Sequence, residues 1–478
     1  MVLKTTQTLF RPRNVEISRK IKLLALPIIA SNLSRVAMNM ADVAMVGQLG
    51  APALAATGMG SMLVWAVVSF GISLRTATQT VASRRLGQKK YFECGTAMHN
   101  GHLLAFLYGV PAAALGYFFA KHFVPFLISD TTVIRLCIDY TTIGFLSVFF
   151  SAFGFVFQGF YTGVEKTSVH MKVTVTANLL NVYLNAGLIY GKQAVQNYFT
   201  SIEAVDVSWV GGLWSWYDFP ALGVKGAAVA TLISSAWLAA HYSFYLFKPT
   251  IYKKFHVFSF TLSWKMLKRQ IAIAVPQGSQ EMLVMVGFVV FFKIVGIIGV
   301  VELAAVEIVF TILQSSFMPA IGIGQACATL VGKYLGEEKT KKAETSIIES
   351  VRWSFLIMGS VGVMFLFIPQ YIIPVFTNDP KVMELGVNAL RIAALVQFAD
   401  AVGLTLWFAL SGAGNTFFPA VVEAAIVWGF FLPASYVSGV VLGFGFMGPW
   451  MAFVIYIVLF AIIMFWKIRK GDWKEIII

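Results

Sequence analysis

The stretch VGQLG at residues 46–50 recurs as VGIIG at residues 295–299, a shift of 249 positions in a chain of 478 residues. At this shift the alignment runs without gaps over two long apolar segments and the loop that follows them. A repeat of this length predicts that the two halves of the chain share one fold. The shift also aligns Pro27 with Pro276, LAA at 54–56 with LAA at 303–305, VASRRLG at 81–87 with LVGKYLG at 330–336, and YTGVEKT at 161–167 with LSGAGNT at 410–416.

The register of the repeat changes near its end. GVKGAAVA at 223–230 matches GFMGPWMA at 445–452 at a shift of 222, so the first half carries 27 additional residues. We assign them to a long loop at 192–222. Aromatic side chains favour the membrane–water interface, so we interpret this loop as an external elbow, with a lid over a cavity as the alternative. Its aromatic residues include Trp209, Trp214, Trp216 and Tyr217.

The composition indicates a membrane protein. Hydrophobic residues make up 58% of the chain, charged residues 12%, and the mean hydropathy is +0.78, whereas soluble domains carry about 25% charged residues. The apolar residues form windows of about 20 residues, the length that a helix needs to cross the hydrocarbon core. The pattern predicts twelve spanning helices, at 22–47, 54–82, 96–120, 133–161, 169–191, 223–247, 269–298, 302–332, 345–369, 384–411, 417–440 and 446–466.

These helices divide equally between the halves, which predicts an all-α polytopic protein of two six-helix bundles. Because each repeat has an even number of helices, both bundles enter the membrane the same way up, related by a pseudo-twofold axis along the membrane normal. Such pairs enclose a central cavity that opens to alternate sides, the architecture of transporters. We assign the first bundle to 1–248 and the second to 249–478, with a cytoplasmic linker at 248–268.

The net charge of +14 reflects membrane topology. Lys and Arg cluster before the first predicted helix, after the last one and in every second loop. By the positive-inside rule both termini are expected in the cytoplasm, as in a multi-pass protein of the plasma membrane or the bacterial inner membrane. A nucleic-acid partner is not expected, because the charges belong to separate short loops. The scattered Cys94, Cys137 and Cys327 predict neither disulfides nor a metal site.

Several motifs cover the chain in a specific order. Beyond the succession of a proline, an acid and VGQLG in the first helix pair, they are FQGFYTGVEKT at 157–167, NVYLNAGLIYG at 181–191 and VQFADAVGLTLWFALSGAGNT at 396–416. With these motifs the chain resembles the multidrug and toxic compound extrusion (MATE) family over essentially its whole length. The resemblance implies two six-helix bundles and efflux of organic, often cationic, compounds driven by Na+ or H+.

An ionisable side chain within a membrane span suggests a functional site, because its charge is costly to bury. Asp42 lies in the first predicted helix. The structural alternative is an ion pair with Arg35, seven residues earlier and on the same helix face. A carboxylate balanced between desolvation and a nearby cation is suited to exchange H+ or Na+. The resemblance implies that Asp42 is a cation-coupling residue of the first bundle.

Three asparagines follow in the fifth predicted helix. Asn181 and Asn185 are four residues apart and share a face, which Asn178 extends. They could join helices by hydrogen bonds, or offer Na+ the hard oxygen ligands that it prefers. The resemblance implies that positions 181 and 185 complete the site of Asp42. Because residue 185 is Asn, that site has one carboxylate fewer than a two-acid proton relay.

In the second half, Asp400 lies on the tenth predicted helix with Gln397 three residues earlier. The resemblance to the sodium-coupled branch implies a cation-coupling role for this acid. That branch also has a Glu eight residues after the seventh-helix proline, where this chain is apolar. Glu281 or Glu307 is a candidate replacement, and an ion pair with Lys293 is the structural alternative.

Arg35, Arg75 and Lys293 are unusual cavity residues for an exporter of cations. Charged side chains in spans usually pair or line a water-filled cavity, so these three are candidate charge partners and leave an anionic substrate open. The favoured function is an antiporter that exports organic cationic or amphipathic compounds in exchange for Na+ or H+. The alternative is a flippase or exporter of an anionic or lipid-linked substrate.

We find no catalytic motif in the sequence, and we therefore do not expect an enzyme. We expect a monomer in the lipid bilayer whose partners are small organic molecules and a coupling cation. No cofactor is expected beyond that Na+ or H+, and no metal site other than Na+ at the coupling residues.

Overall fold

A computed structural model describes residues 11–128, 130–201 and 208–476. This part of the chain forms helices and loops without a β-strand. We number its long helices in chain order: α1 Val15–Gly47, α2 Ala51–Gly87, α3 Tyr91–Leu127, α4 Thr131–Gly163, α5 Thr167–Tyr190, α6 Val224–Leu246, α7 Trp264–Ile298, α8 Val300–Gly336, α9 Thr340–Phe367, α10 Pro380–Ala413, α11 Phe417–Val441 and α12 Met447–Lys470.

Ten of these helices are long and apolar enough to cross a membrane, and α5 and α6 are not among them. The all-helical prediction is therefore confirmed, whereas a count of twelve spans stays a prediction. Helices α1, α4, α7 and α10 begin earlier than the apolar windows, because polar side chains cap them outside those windows. Asn14 accepts a hydrogen bond from the Ile17 amide at 3.0 Å, and Asp130 accepts one from Val133 at 2.9 Å.

Helix α11 departs from α-geometry in two places. Residues 427–431 and 437–441 form π-turns on either side of a short α-helical stretch that contains Pro433. Proline lacks an amide hydrogen and its ring clashes with the preceding turn, so the helix accommodates it by widening locally. The distortion at this proline therefore takes the form of two π-bulges, one on each side of it.

The first and last described residues lie at one end of the helix assembly, which we call the terminal side. The opposite end is the far side. Here the Arg84 guanidinium donates to the carbonyl oxygens of Ala413 at 3.2 Å and Ile476 at 3.0 Å. The Lys333 ammonium lies 2.7 Å from the Glu165 carboxylate. Among the described residues, every hydrogen bond between positions before and after 249 involves the terminal half of the helices, apart from local bonds in the linker helix.

The halves also exchange parts of their first helices. Ile21 and Leu24 of α1 are buried in the large apolar core built mainly by the second half. Conversely, Ile273 and Ala274 of α7 are buried in the core of the first half. Each half therefore completes the other's core at the terminal side.

Two glycines allow the halves to touch there through their backbones. A Cβ at Gly87 would lie 2.0 Å from the Lys333 carbonyl oxygen, and one at Gly336 would lie 2.2 Å from that of Arg84. No side chain fits at these distances, so glycine is required for the close approach of α2 and α8.

The described part of loop 192–222 is anchored on the far end of α5. The Trp214 ring stacks on Tyr183 with 4.7 Å between centroids and donates to its carbonyl oxygen at 3.0 Å. Lys192 donates to Asp218 at 2.8 Å, and this bond with its positive charge lowers the pKa of the Asp218 carboxyl. Trp216 stays exposed. The segment at 202–207 lies outside the described residues, and the choice between elbow and lid stays open.

Gly87→Ala is expected to force α2 and α8 apart, because its Cβ would overlap a backbone oxygen. Overpacking of this kind lowers the free energy of unfolding by about 1–3 kcal/mol. Spin labels on the exposed Lys166 and Lys341 positions of the two halves should report a longer terminal-side distance. Gly47→Ala is the matched control, because nothing lies within 4 Å of its Cβ position. An unchanged label distance in Gly87→Ala would contradict the proposed tight contact.

Candidate functional site

The structure joins three of the predicted residues of the first half. The Asn185 amide on α5 donates to the Asp42 carboxylate on α1 at 2.5 Å and to the Asn181 oxygen at 3.1 Å. Asn181 and Asn185 are 2% and 1% exposed, while Asp42 is half-buried. The side-chain oxygen of Asn185 is buried, and no described residue donates a hydrogen bond to it. The site therefore offers a carboxylate beside an unsatisfied amide oxygen, a donor set suited to a proton or a hard cation.

Asn178 does not reach Asp42. Its amide donates to the Ser34 hydroxyl of α1 at 2.8 Å, about two helical turns nearer the terminal side. Asn178 and Asn185 thus both join α5 to α1, as the interhelical alternative predicted. For Asn185 this structural role and contact with the acid coexist.

Arg35 and Asp42 form no ion pair in the described chain. Two residues seven positions apart share a helix face, but at 1.5 Å per residue they lie about 10 Å apart along the helix axis. Arg35 instead lies within electrostatic range of Arg75, His170 and Tyr242. The structural alternative for Asp42 is therefore not realised here.

A buried polar network lies within electrostatic range of Arg35 and Arg75. Nδ1 of His170 lies 2.6 Å from the Tyr242 hydroxyl, and its Nε2 lies 3.1 Å from the Gln158 amide nitrogen. Both imidazole nitrogens are therefore engaged with neutral groups. The network connects α4, α5 and α6 beside the two guanidinium groups and supplies them with no negative charge.

In the second half, the acids meet around a residue that the sequence analysis did not single out. Glu423 on α11 accepts hydrogen bonds from the Gln280 amide of α7 and from the Tyr456 hydroxyl of α12, the latter at 2.7 Å. Glu281 and Asp400 both lie within electrostatic range of Glu423. Three carboxyl groups from α7, α10 and α11 thus converge, and we call them the acid cluster.

A signal for Glu423 was present in the sequence, since it is the only charged residue between positions 417 and 441. Its partners were not visible, because Gln280 and Tyr456 come from segments 143 and 33 residues away. Only the packing of α7 and α12 against α11 brings them together.

Three other candidate residues take no part in the hydrogen bonds of the acid cluster. Gln397 is buried and accepts from the Ser316 hydroxyl at 3.3 Å. Glu307 and Lys293 are exposed, and neither forms an ion pair within the described ranges. The expected pairing of Lys293 with Glu281 or Glu307 is thus not realised. Glu307 instead continues an exposed polar stripe of α8 through Thr311.

Tyr456→Phe is expected to lower the free energy of unfolding by about 1.5–3 kcal/mol, the range for a hydrogen bond to a charged group. Thermal unfolding in detergent measures the loss. In a Glu423→Gln background the same substitution should cost less, because the two side chains interact directly. Strictly additive losses would contradict this contact. Tyr436→Phe is the matched control, because the Tyr436 side chain is 46% exposed.

Comparisons with known proteins agree with this architecture. The MatE family model matches the chain twice, over residues 27–186 and 276–437. The two matches begin 249 residues apart, the shift of the internal repeat. Together they cover well over half of the chain.

Curated relatives and solved structures extend over nearly the whole length. A probable multidrug resistance protein NorM of Thermotoga maritima is 26% identical, with 96% of this chain and 94% of the relative covered. The uncharacterized transporter YisQ of Bacillus subtilis is 22% identical over 92% of this chain and 91% of its own.

Two solved structures share the fold. One is an outward-facing multidrug resistance MATE family transporter, at a TM-score of 0.84, 19% identity and coverage of 96% and 97%. The other is a MOP superfamily transporter from Pyrococcus furiosus, for which a reverse polarity of the binding pocket is described. It has a TM-score of 0.83 and 20% identity, with 98% of both chains covered. From the two matches of the family model, the chain belongs to the MatE family, whose members are membrane transporters and not enzymes.

Proposed function

We propose that the chain is a secondary active antiporter that exports organic compounds in exchange for Na+ or H+. The relative from Thermotoga maritima is named for multidrug resistance, and the family supports efflux. We further propose that α5 and α6 also span the bilayer, giving twelve spans with the pseudo-twofold implied by the repeat. The basic loops support a cytoplasmic location for the terminal side.

The distribution of contacts between the halves is the observation that carries this proposal. In the described part of the chain, and apart from local bonds in the linker helix, the hydrogen bonds between the halves are confined to the terminal half of the helices. They include Gln79 with Thr329 at 2.9 Å and Gln277 with Thr76 at 3.1 Å. The candidate acids lie on the far side of these bonds. With the terminal side in the cytoplasm, this arrangement corresponds to an outward-facing state, as in one of the similar solved structures.

Two sites support coupling to a cation. Asp42 with Asn181 and Asn185 forms one, and the acid cluster forms the other. A cation that binds either site more tightly in one orientation shifts the population toward it, and a substrate with the opposite preference shifts it back. The acid cluster also favours a positively charged group on the substrate, in keeping with cationic or amphipathic compounds.

Asp42→Asn and Asp400→Asn are each expected to reduce ion-driven efflux by at least about tenfold, because coupling requires a difference in cation affinity between the two states. Purified protein in liposomes, with Na+ and H+ gradients imposed separately, measures this with a fluorescent organic cation. The gradient that drives wild-type efflux identifies the coupling ion.

Glu384→Gln is the control for these variants, since Glu384 is an exposed acid at the far end of α10. It should transport as the wild type does. Wild-type rates in both Asp42→Asn and Asp400→Asn, with unchanged thermal stability, would overturn the coupling mechanism.

A further inference from the structure

The first half holds two guanidinium groups that form no ion pair with any described residue. Arg75 on α2 is 9% exposed, and its buried Nε has no hydrogen-bond partner among the residues that the structure describes. Arg35 on α1 is half-buried. Neither arginine forms a hydrogen bond or an ion pair within residues 11–128, 130–201 and 208–476. The two side chains lie within electrostatic range of each other.

The neighbouring acids do not neutralise this pair. Glu281 of α7 is within electrostatic range of Arg75 but forms no ion pair with it among the described residues. Asp42 is bound to Asn185 instead. His170, the titratable neighbour on α5, is engaged with Tyr242. The Arg35 and Arg75 side chains therefore form a local excess of positive charge.

Two like charges in a membrane protein persist only where something offsets the cost of keeping them from water. In an arginine with a structural role, the N–H groups of the guanidinium donate to carbonyl or carboxylate oxygens, as those of Arg84 do at the terminal side. Arg75 forms no such bonds with the described residues. Its planar fork matches the oxygens of a carboxylate, sulfonate or phosphate, which it can bind through two parallel hydrogen bonds.

We propose that Arg35 and Arg75 bind an anionic group of the transported compound. This deepens the proposed export function and rests on it: the substrates include organic anions and, above all, zwitterions. In a zwitterion the negative group lies at the arginine pair of the first half, and the positive group lies toward the acid cluster of the second half. The two halves then hold opposite ends of one molecule.

A matched pair of dyes tests the role of the anionic group. Rhodamine B carries a carboxylate and a delocalised cation, and its ethyl ester keeps the same ring system without the negative charge. Equilibrium binding to the full-length protein is measured in detergent by fluorescence polarisation, and efflux is measured in proteoliposomes under the driving gradient.

Arg75→Gln and Arg35→Gln should each weaken rhodamine B binding by about tenfold, the loss of one good charge-assisted contact. Binding of the ethyl ester should change by less than about twofold, because it makes no such contact. Arg75→Lys should restore part of the affinity for rhodamine B, since it keeps the charge but loses the fork. Arg135→Gln, at an exposed arginine of α4, is the control and should leave both dyes unaffected.

Three results separate the two proposals. Equal loss of both dyes in folded Arg75→Gln and Arg35→Gln proteins would mean that the pair supports structure or balances Glu281, and would overturn the anion site. Unchanged rhodamine B binding in both variants would overturn it as well. Selective loss of rhodamine B binding without gradient-driven efflux of either dye would uphold the anion site while contradicting the antiporter.

Discussion

The backbone contact between α2 and α8 is the constraint on which the rest of the structure depends. At Gly87 and Gly336 the two halves approach so closely that no Cβ fits between them. Around this point, Gln79 donates to the Gln325 carbonyl and to the Thr329 hydroxyl at 2.8 and 2.9 Å. These hydrogen bonds from the Gln79 side-chain amide replace hydration for polar groups that are buried between the two apolar bundles. They fix the end at which the halves are joined, and with it the end toward which the space between them can widen.

The internal repeat makes the differences between the halves as informative as the similarities. By the shift of 249, the counterpart of Asp42 is Phe291, which is 0% exposed and packs 4.9 Å from the ring of Phe431. The counterpart of Glu281 is Asn32, whose buried amide nitrogen has no hydrogen-bond partner in the described part of the chain. The acids Asp42 and Glu281 therefore lie at different positions along equivalent helices of the two halves. Within the described spans, the unpaired Arg35 and Arg75 lie in the first half, and the acid cluster lies in the second.

The sequence predicted what depends on local pattern. Apolar windows located the helices, and the four-residue spacing of Asn181 and Asn185 correctly placed them on one face. It did not predict what depends on tertiary packing. The shared face of Arg35 and Asp42 suggested a pair, but their difference in height separates them. Likewise, Glu423 acquires its partners only when α7 and α12 pack against α11.

The exchange of helix ends has a consequence for how the protein is made. Ile21 of α1 is synthesised long before the second-half core that buries it. The core of the first half is likewise completed only when Ile273 of α7 has been synthesised. Neither half can bury its own apolar surface alone at the terminal side. During biosynthesis the first bundle thus exposes apolar surface at the terminal side until the second bundle is inserted. The two halves therefore fold as one cooperative unit.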